Sequence, residues 1–446
     1  MPAMKSTSSS SGIPEPAQRH QLGRMAASHR QHRITGKPSH FPKYSHRCRS
    51  RENLPPRSPN CELKHQRIFR KNIEVCTFTV HTSIFIPYYH MSIVRFSGTV
   101  LGSNDPGRAT RAQLLSLLFN EGWDIYNSNG DQKITLNNIE KKIIESDAFL
   151  FTPGATLEDM FKAISIFVGY QTLDPHLTGK PTVILNSDGS WDSFFSVLSH
   201  LESLGTIKQD HRKFLLKANS PERVIGLLDS AKSQGLPNPD REKVNETTLP
   251  EADEIIPDHY NGNVCVFCSA TLEDPGYLAD GEAFGKTLAQ NNMGCVSGAG
   301  KSGIMGAVVK GSVDAGGWTA GSNVPHIIEL EGLPDGLSQF WLREDIYTRM
   351  EVMIENSNAF VIFPGGAGTF QELLALMIFK QNNHELMTGK PVVIFNRKNE
   401  MEIGFWEPLI TLMASMCAPD SFAIVDQLDE ILPSILERFE NKSAAC

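Results

Sequence analysis

The chain has 446 residues, 40% of them hydrophobic and 21% charged, which is the composition of a folded protein long enough for two or three cores. Its formal charge of −8 is unevenly spread: residues 1–72 carry 15 Lys and Arg against 3 Asp and Glu, and the remainder carries 27 against 47. The acidic body argues against a nucleic-acid partner, and no apolar run reaches the ~18 residues of a bilayer span, so no membrane partner is expected either.

The first ninety residues are rich in Ser, Arg, His and Pro and lack sustained apolar periodicity, so residues 1–90 are expected to be a disordered basic extension. An organelle transit peptide is the alternative reading of the same composition. Organised sequence begins near Met91. IVRFSGTVLGS (93–103) reads as a strand, RATRAQLLSLLFNEG (108–122) as a helix, WDIYNS as a strand and LNNIEKKIIESD (136–147) as a helix. AFLFTPG (148–154) reads as a strand, 157–167 as a helix, KPTVILN (180–186) as a strand and WDSFFSVLSHLESLG as a helix. Residues 233–260 are polar and Pro-containing, as a linker should be.

The plan then repeats over 261–446. NVCVFCSA (263–270) is strand-like, 276–292 helical, and GCVSGAGKSGIMGAVVKGSVDAGG a strand, glycine loop and helix. REDIYTRMEVMIENS (343–357), TFQELLALMIFKQ and GFWEPLITLMASM read as helices around the strands AFVIFPGG and GKPVVIFN. Strands alternating with helices call for parallel sheets, so the expected fold is α/β: two Rossmann-like doubly wound domains in tandem, 91–232 and 261–446. SDAFLFTPG matches SNAFVIFPGG, and LTGKPTVILN matches MTGKPVVIFN, which points to internal duplication.

Eight cysteines are scattered, and only Cys265 and Cys268 stand at C-x-x-C spacing, inside an apolar strand. They read as small core residues rather than a metal site, in a reduced compartment such as the cytoplasm.

Two glycine loops carry the chemistry. Gly365, Gly366 and Gly368 follow an apolar strand at the start of a helix, where free backbone N–H groups and the helix dipole suit a phosphate. Thr369-x-x-Glu372 also has capping-box spacing, with Thr369 as the cap. Gly298-Ala-Gly300-Lys-Ser-Gly303 matches G-x-G-x-x-G but follows the second strand of its half and lacks the later acid of a dinucleotide site. A Walker A loop would need glycine where Cys295 stands, which disfavours ATPase chemistry. Two such loops in one half suit a mononucleotide.

At these residues the second half resembles the LOG family of phosphoribohydrolases, long labelled "possible lysine decarboxylases". Pro364–Glu372 matches the family signature PGGxGTxxE in full. The resemblance covers about 261–420 strongly and 91–232 as a worn copy. It implies cleavage of the N-glycosidic bond of a nucleoside 5′-monophosphate, with cytokinin ribotides the best-known substrates. It also implies no metal or other cofactor, and a dimer with sites near the interface. For this chain the expected partners are therefore the nucleotide substrate and either a homodimer or an intrachain pseudo-dimer. By the same resemblance Arg349, eleven residues before Phe360, is the catalytic arginine, Glu372 the catalytic glutamate and Glu331 the upstream substrate-contacting acid. Gly298, Gly300, Gly303, Gly365, Gly366, Gly368 and Thr369 are then the candidate phosphate and substrate binders. The chain departs from the family at Met350, at Gln371 and in GAGKSGIMG, which leaves the base open. No lysine stands in a recognisable pyridoxal-phosphate site, so decarboxylation gains nothing.

The first half lacks these parts. Its position for the arginine is Asn138, its signature shrinks to Pro153-Gly154-Ala155-Thr156, and Asp159 stands opposite Glu372 when the threonines are aligned. It is expected to be a pseudo-domain without activity. A non-catalytic nucleotide-binding or sensing protein is the alternative for the whole chain.

Overall fold

The structure is a computed structural model that describes residues 93–97, 108–127, 146–238 and 261–443. The basic extension, the helix expected at 136–147 except for its last two residues, Asn138, and residues 239–260 of the linker lie outside the described residues.

Two parallel sheets are built from the alternating pattern. In the first half β1 (Ile93–Ser97), β2 (Asp124–Asn127), β3 (Ala148–Phe151), β4 (Thr182–Leu185) and β5 (Leu215–Ala218) run in the order β2-β1-β3-β4-β5. In the second, β6 (Asn263–Phe267), β7 (Gly294–Ser297), β8 (Thr319–Asn323), β9 (Gln339–Leu342), β10 (Ala359–Ile362), β11 (Val392–Phe395) and β12 (Ala423–Val425) run β12-β11-β10-β6-β7-β8-β9. The named strands pair in parallel throughout, and β3, β4, β10 and β11 are buried along their whole length. Helices covering both faces explain why these strands are continuous apolar runs rather than alternating ones. The seven-stranded sheet repeats the five-strand order of the first and adds β8, β9 and the short helix Pro325–Glu331; the sequence pattern marks none of these, nor β5, β12 or helix Pro221–Gln234, whose last two residues fall in the stretch expected to be linker.

The strand order reverses between β6 and β10, and between β1 and β3 in the first half. In open parallel sheets ligands bind outside the carboxyl ends of strands at such a switch. Both glycine loops therefore leave strands on the side where a ligand is expected.

The halves share one core. Helix Leu157–Gln171, after β3, packs along helix Ala367–Gln381, after β10, and helix Asp192–Ser203 packs against Glu407–Met416. Equivalent elements thus meet each other, the arrangement an isologous dimer contact would have. Phe194 meets Phe370 with ring centroids 5.7 Å apart, and Gln371 Nε2 donates to Ser165 Oγ at 2.9 Å in the buried seam. The likeness between the halves extends to detail. Asn186 Oδ1 accepts the Trp191 N–H at 3.1 Å, and Asn396 Oδ1 accepts the Trp406 N–H at 2.8 Å.

Helix ends differ from the sequence reading where side chains cap them. The helix expected over 343–357 spans Ile346–Glu355, because Asp345 Oδ1 accepts the Tyr347 and Thr348 N–H groups at 2.7 and 2.8 Å. Among the described residues no helix is long and apolar enough to cross a membrane.

Candidate active site

A cavity of about 380 Å³ opens at the β6/β10 switch, within the size range of small-molecule sites. Its second-half lining includes Gly366, Gly368, Thr369 and Glu372 from the P-G-G loop and helix. Glu331, Arg349, Ser302 and Met305 join them, with Ser269–Thr271 from the turn after β6. The sequence-selected Arg349, Glu372 and Glu331 are therefore brought to one place from three different elements.

Arg349 is held by backbone. Its Nε donates to the Ser322 carbonyl at 2.9 Å and its Nη2 to the Gly298 carbonyl at 3.0 Å. The i−4 neighbour Asp345, the ready salt-bridge partner in sequence, is spent as the helix cap. Gly298 makes this contact possible: a Cβ there would stand 2.2 Å from Arg349 Nη2. A Cβ on Gly300 would stand 3.2 Å from Glu331 Oε2, so the glycine loop passes directly beside both charges. Gly303 has a φ of +62° and opens the next helix against the Ala270 backbone. None of Gly298, Gly300 and Gly303 lines the cavity, whereas Ser302 from the same loop does. Those three glycines lie beneath the site as its support. Gly365 is also outside the lining, packed against Thr369, which does face the cavity.

Glu372 is 7% exposed, and burial pushes its carboxyl up to about 8, with Glu331 adding to the rise and Arg349 opposing it. At neutral pH the group is therefore protonated, poised to give a proton rather than to sit as a fixed negative charge. The expected capping box is not formed. Helix Ala367–Gln381 opens two residues earlier, with Gly366 as its cap, so Thr369 and Glu372 lie inside the helix with no capping role. The glycines move the cap upstream and free both side chains for the cavity.

The first copy does the opposite. Thr156 caps helix Leu157–Gln171, and Thr156 and Asp159 form a complete capping box. Counted from the caps, Asp159 is the third helical residue and occupies the place of Thr369, not of Glu372, whose place is taken by Lys162. Aligning the threonines puts the two carboxylates in register falsely. The backbone after β3 is also already satisfied: the Gly154 N–H donates to Asp188 Oδ2 at 2.8 Å, and the Ala155 N–H to Ser190 Oγ at 3.1 Å. The chain's own acid occupies the position where an anion would sit.

Part of the lining comes from the first half, which the sequence reading did not foresee: Val168, Gln171, Thr172, Thr206, Lys208 and Gln209. No motif marks residues that reach a site only through the packing of two halves. As for metals, Glu202, Asp210 and His211 cluster within 4.8 Å, the one such trio among the described residues. His211 Nδ1 pairs with Glu202 at 2.7 Å and Asp210 with Arg212 at 2.8 Å, so the trio fastens a turn. Cys265 and Cys268 are buried and their thiols are pushed well up by burial, as core residues would be.

Residues 305–431 match the family model described as "Possible lysine decarboxylase". The cytokinin riboside 5′-monophosphate phosphoribohydrolase of Mycobacterium marinum is 29% identical over 172 residues, covering 38% of this chain and 90% of that protein. A probable enzyme of the same name from Oryza sativa subsp. japonica is 27% identical over 183 residues, covering 39% and 76%. Among solved structures, the molybdenum cofactor carrier protein of Chlamydomonas reinhardtii covers 40% of this chain and 98% of its own, at 20% identity and a TM-score of 0.31. The complete PGGxGTxxE signature at Pro364–Glu372 lies inside the matched region, so the second half of the chain is similar to the LOG family.

Proposed function

We propose that the second half hydrolyses the N-glycosidic bond of a nucleoside 5′-monophosphate, releasing the free base and ribose 5-phosphate, with cytokinin ribotides among the candidate substrates. The observation that carries the reading is the convergence of Glu372, Arg349 and Glu331 with the opening turn of helix Ala367–Gln381 on one cavity. The phosphate rests on the backbone N–H groups of Gly366–Thr369, at the positive end of the helix dipole. Arg349, fixed by two carbonyls, holds its remaining donors toward the sugar and orients the carboxyl of Glu372.

The raised Glu372 supports an acid-then-base sequence. As the C1′–N bond breaks, its electron pair passes to the base, which takes the proton from Glu372. The resulting carboxylate stabilises the positive charge at C1′ and accepts a proton from the attacking water, which restores the acid. The relatives' names support this chemistry, and the first half, with its anion position closed, serves as a structural partner to the second. The tandem arrangement of 91–232 and 261–446 then amounts to an intrachain pseudo-dimer. The test is incubation of the purified chain with adenosine, guanosine, cytidine and isopentenyladenosine 5′-monophosphates, assaying free base and ribose 5-phosphate. Release from at least one supports the proposal. Binding without release from any would make the protein a nucleotide sensor instead.

A further inference from the structure

One wall of the cavity belongs to the half that lacks a cradle of its own. The segment between helix Asp192–Ser203 and β5 lies directly on the P-G-G turn: the carbonyl of Thr206 stands 2.8 Å from where a Cβ on Gly366 would be. The contact explains the glycine, since any side chain at 366 would push the two halves apart. Gly366 caps the helix that receives the phosphate in the reading above, so this segment reaches the anion end of the cavity.

The segment is held firmly. The Thr206 N–H and Oγ1 both donate to the Leu201 carbonyl, at 3.1 and 2.9 Å. Ile207 is buried, and the His211–Glu202 and Asp210–Arg212 pairs fasten the turn that follows. Between these anchors Lys208 and Gln209 line the cavity. Charge in the lining is poorly matched to a dianion. Glu273 and Glu331 are acids, and Arg349 has two of its donor groups committed to carbonyls. Lys208 is the other lining cation, exposed, with no hydrogen bond or ion pair to its ammonium among the described residues.

We infer that the first half completes the second half's site by supplying Lys208 as the counter-charge to the substrate's phosphate. This rests on the nucleotide reading of the cavity and adds to it a reason for keeping a catalytically empty copy. The degenerate half acts on substrate affinity across the seam.

The probe is ribose 5-phosphate, which every nucleoside 5′-monophosphate shares whatever its base. Calorimetric titration of the full chain is expected to show binding that weakens by roughly tenfold or more in Lys208→Met, the scale of one hydrogen bond to a charged group. Lys208→Arg should recover most of that affinity, and the gap between wild type and Lys208→Met should narrow at high salt. Lys208 is exposed, so an unchanged melting temperature should show that the variants fold. Unchanged affinity in Lys208→Met, on a wild type that binds ribose 5-phosphate, would overturn the inference and leave the nucleotide reading standing. Failure of the wild type to bind ribose 5-phosphate would remove the nucleotide reading and this inference with it.

Discussion

Arg349 Nη2 donates to the carbonyl of Gly298 at 3.0 Å, and the same nitrogen stands 2.2 Å from where a Cβ on Gly298 would be. The arginine and the glycine are fitted to one another, so the glycine loop sets the position of the guanidinium. Gly298→Ala is expected to displace Arg349 while leaving the sheet intact. Because a misplacement of ~1 Å can cost about a hundredfold, kcat/KM should fall by about that factor with a small change in melting temperature. Steady-state kinetics beside thermal unfolding would check it, and full activity would show that Arg349 is not held for catalysis.

The protonated Glu372 carries a signature in stability. In the folded chain its carboxyl holds its proton up to about 8, whereas in the unfolded chain it loses the proton near the ordinary ~4.3 of a glutamate. Between those values the folded state binds one more proton, so this group's stabilisation, complete below the lower value, drains away as pH rises through the upper one. The slope is at most about 1.4 kcal/mol per pH unit. Glu372→Gln removes the titration. In urea denaturation the variant should gain on the wild type steadily from pH 5 to pH 8, and parallel curves would refute the buried-acid assignment.

The seam between the halves rests partly on one buried polar pair. Ser165 Oγ accepts from Gln371 Nε2 at 2.9 Å and itself donates to the Phe161 carbonyl, at 2.6 Å. Ser165→Ala leaves the buried Gln371 amide without that partner, at a cost of about 1–3 kcal/mol. Adding Gln371→Leu should recover much of the loss. Denaturant midpoints of the two single variants and the double variant give the coupling, and strict additivity would contradict it.

The first copy's cap should matter for folding alone. Thr156→Ala breaks the capping box with Asp159 and is expected to cost about 1 kcal/mol without changing kcat or KM. A large change in kcat would mean that this loop takes part in the reaction.

Much of this architecture was legible because parallel strands and their glycine exits follow local rules. The apolar runs at 148–154 and 359–366 contain β3 and β10, and the G-x-G-x-x-G and P-G-G loops emerged beside the strand switch. Glu372 was chosen from the family signature, and Arg349 and Glu331 from the wider family resemblance. Other parts were not legible: β5, β8, β9 and β12 are short strands that no clear apolar run marks. The capping spacing at Thr369 and Glu372 was misleading, because Gly366 lets the helix start earlier than the first side chain able to cap it. The match of Asp159 with Glu372 failed because aligned letters need not share a helical register. The cavity wall from Thr206 to Gln209 was invisible, since it depends on how two halves pack and on no local pattern.

The central claim is that the chemistry resides in the second copy and in Glu372. It is tested most directly by measuring ribose 5-phosphate release from a nucleoside 5′-monophosphate by the wild type, Glu372→Gln and Asp159→Asn. The account predicts release by the wild type and by Asp159→Asn, and a loss of at least about a hundredfold in Glu372→Gln. Release that survives in Glu372→Gln and disappears in Asp159→Asn would contradict it.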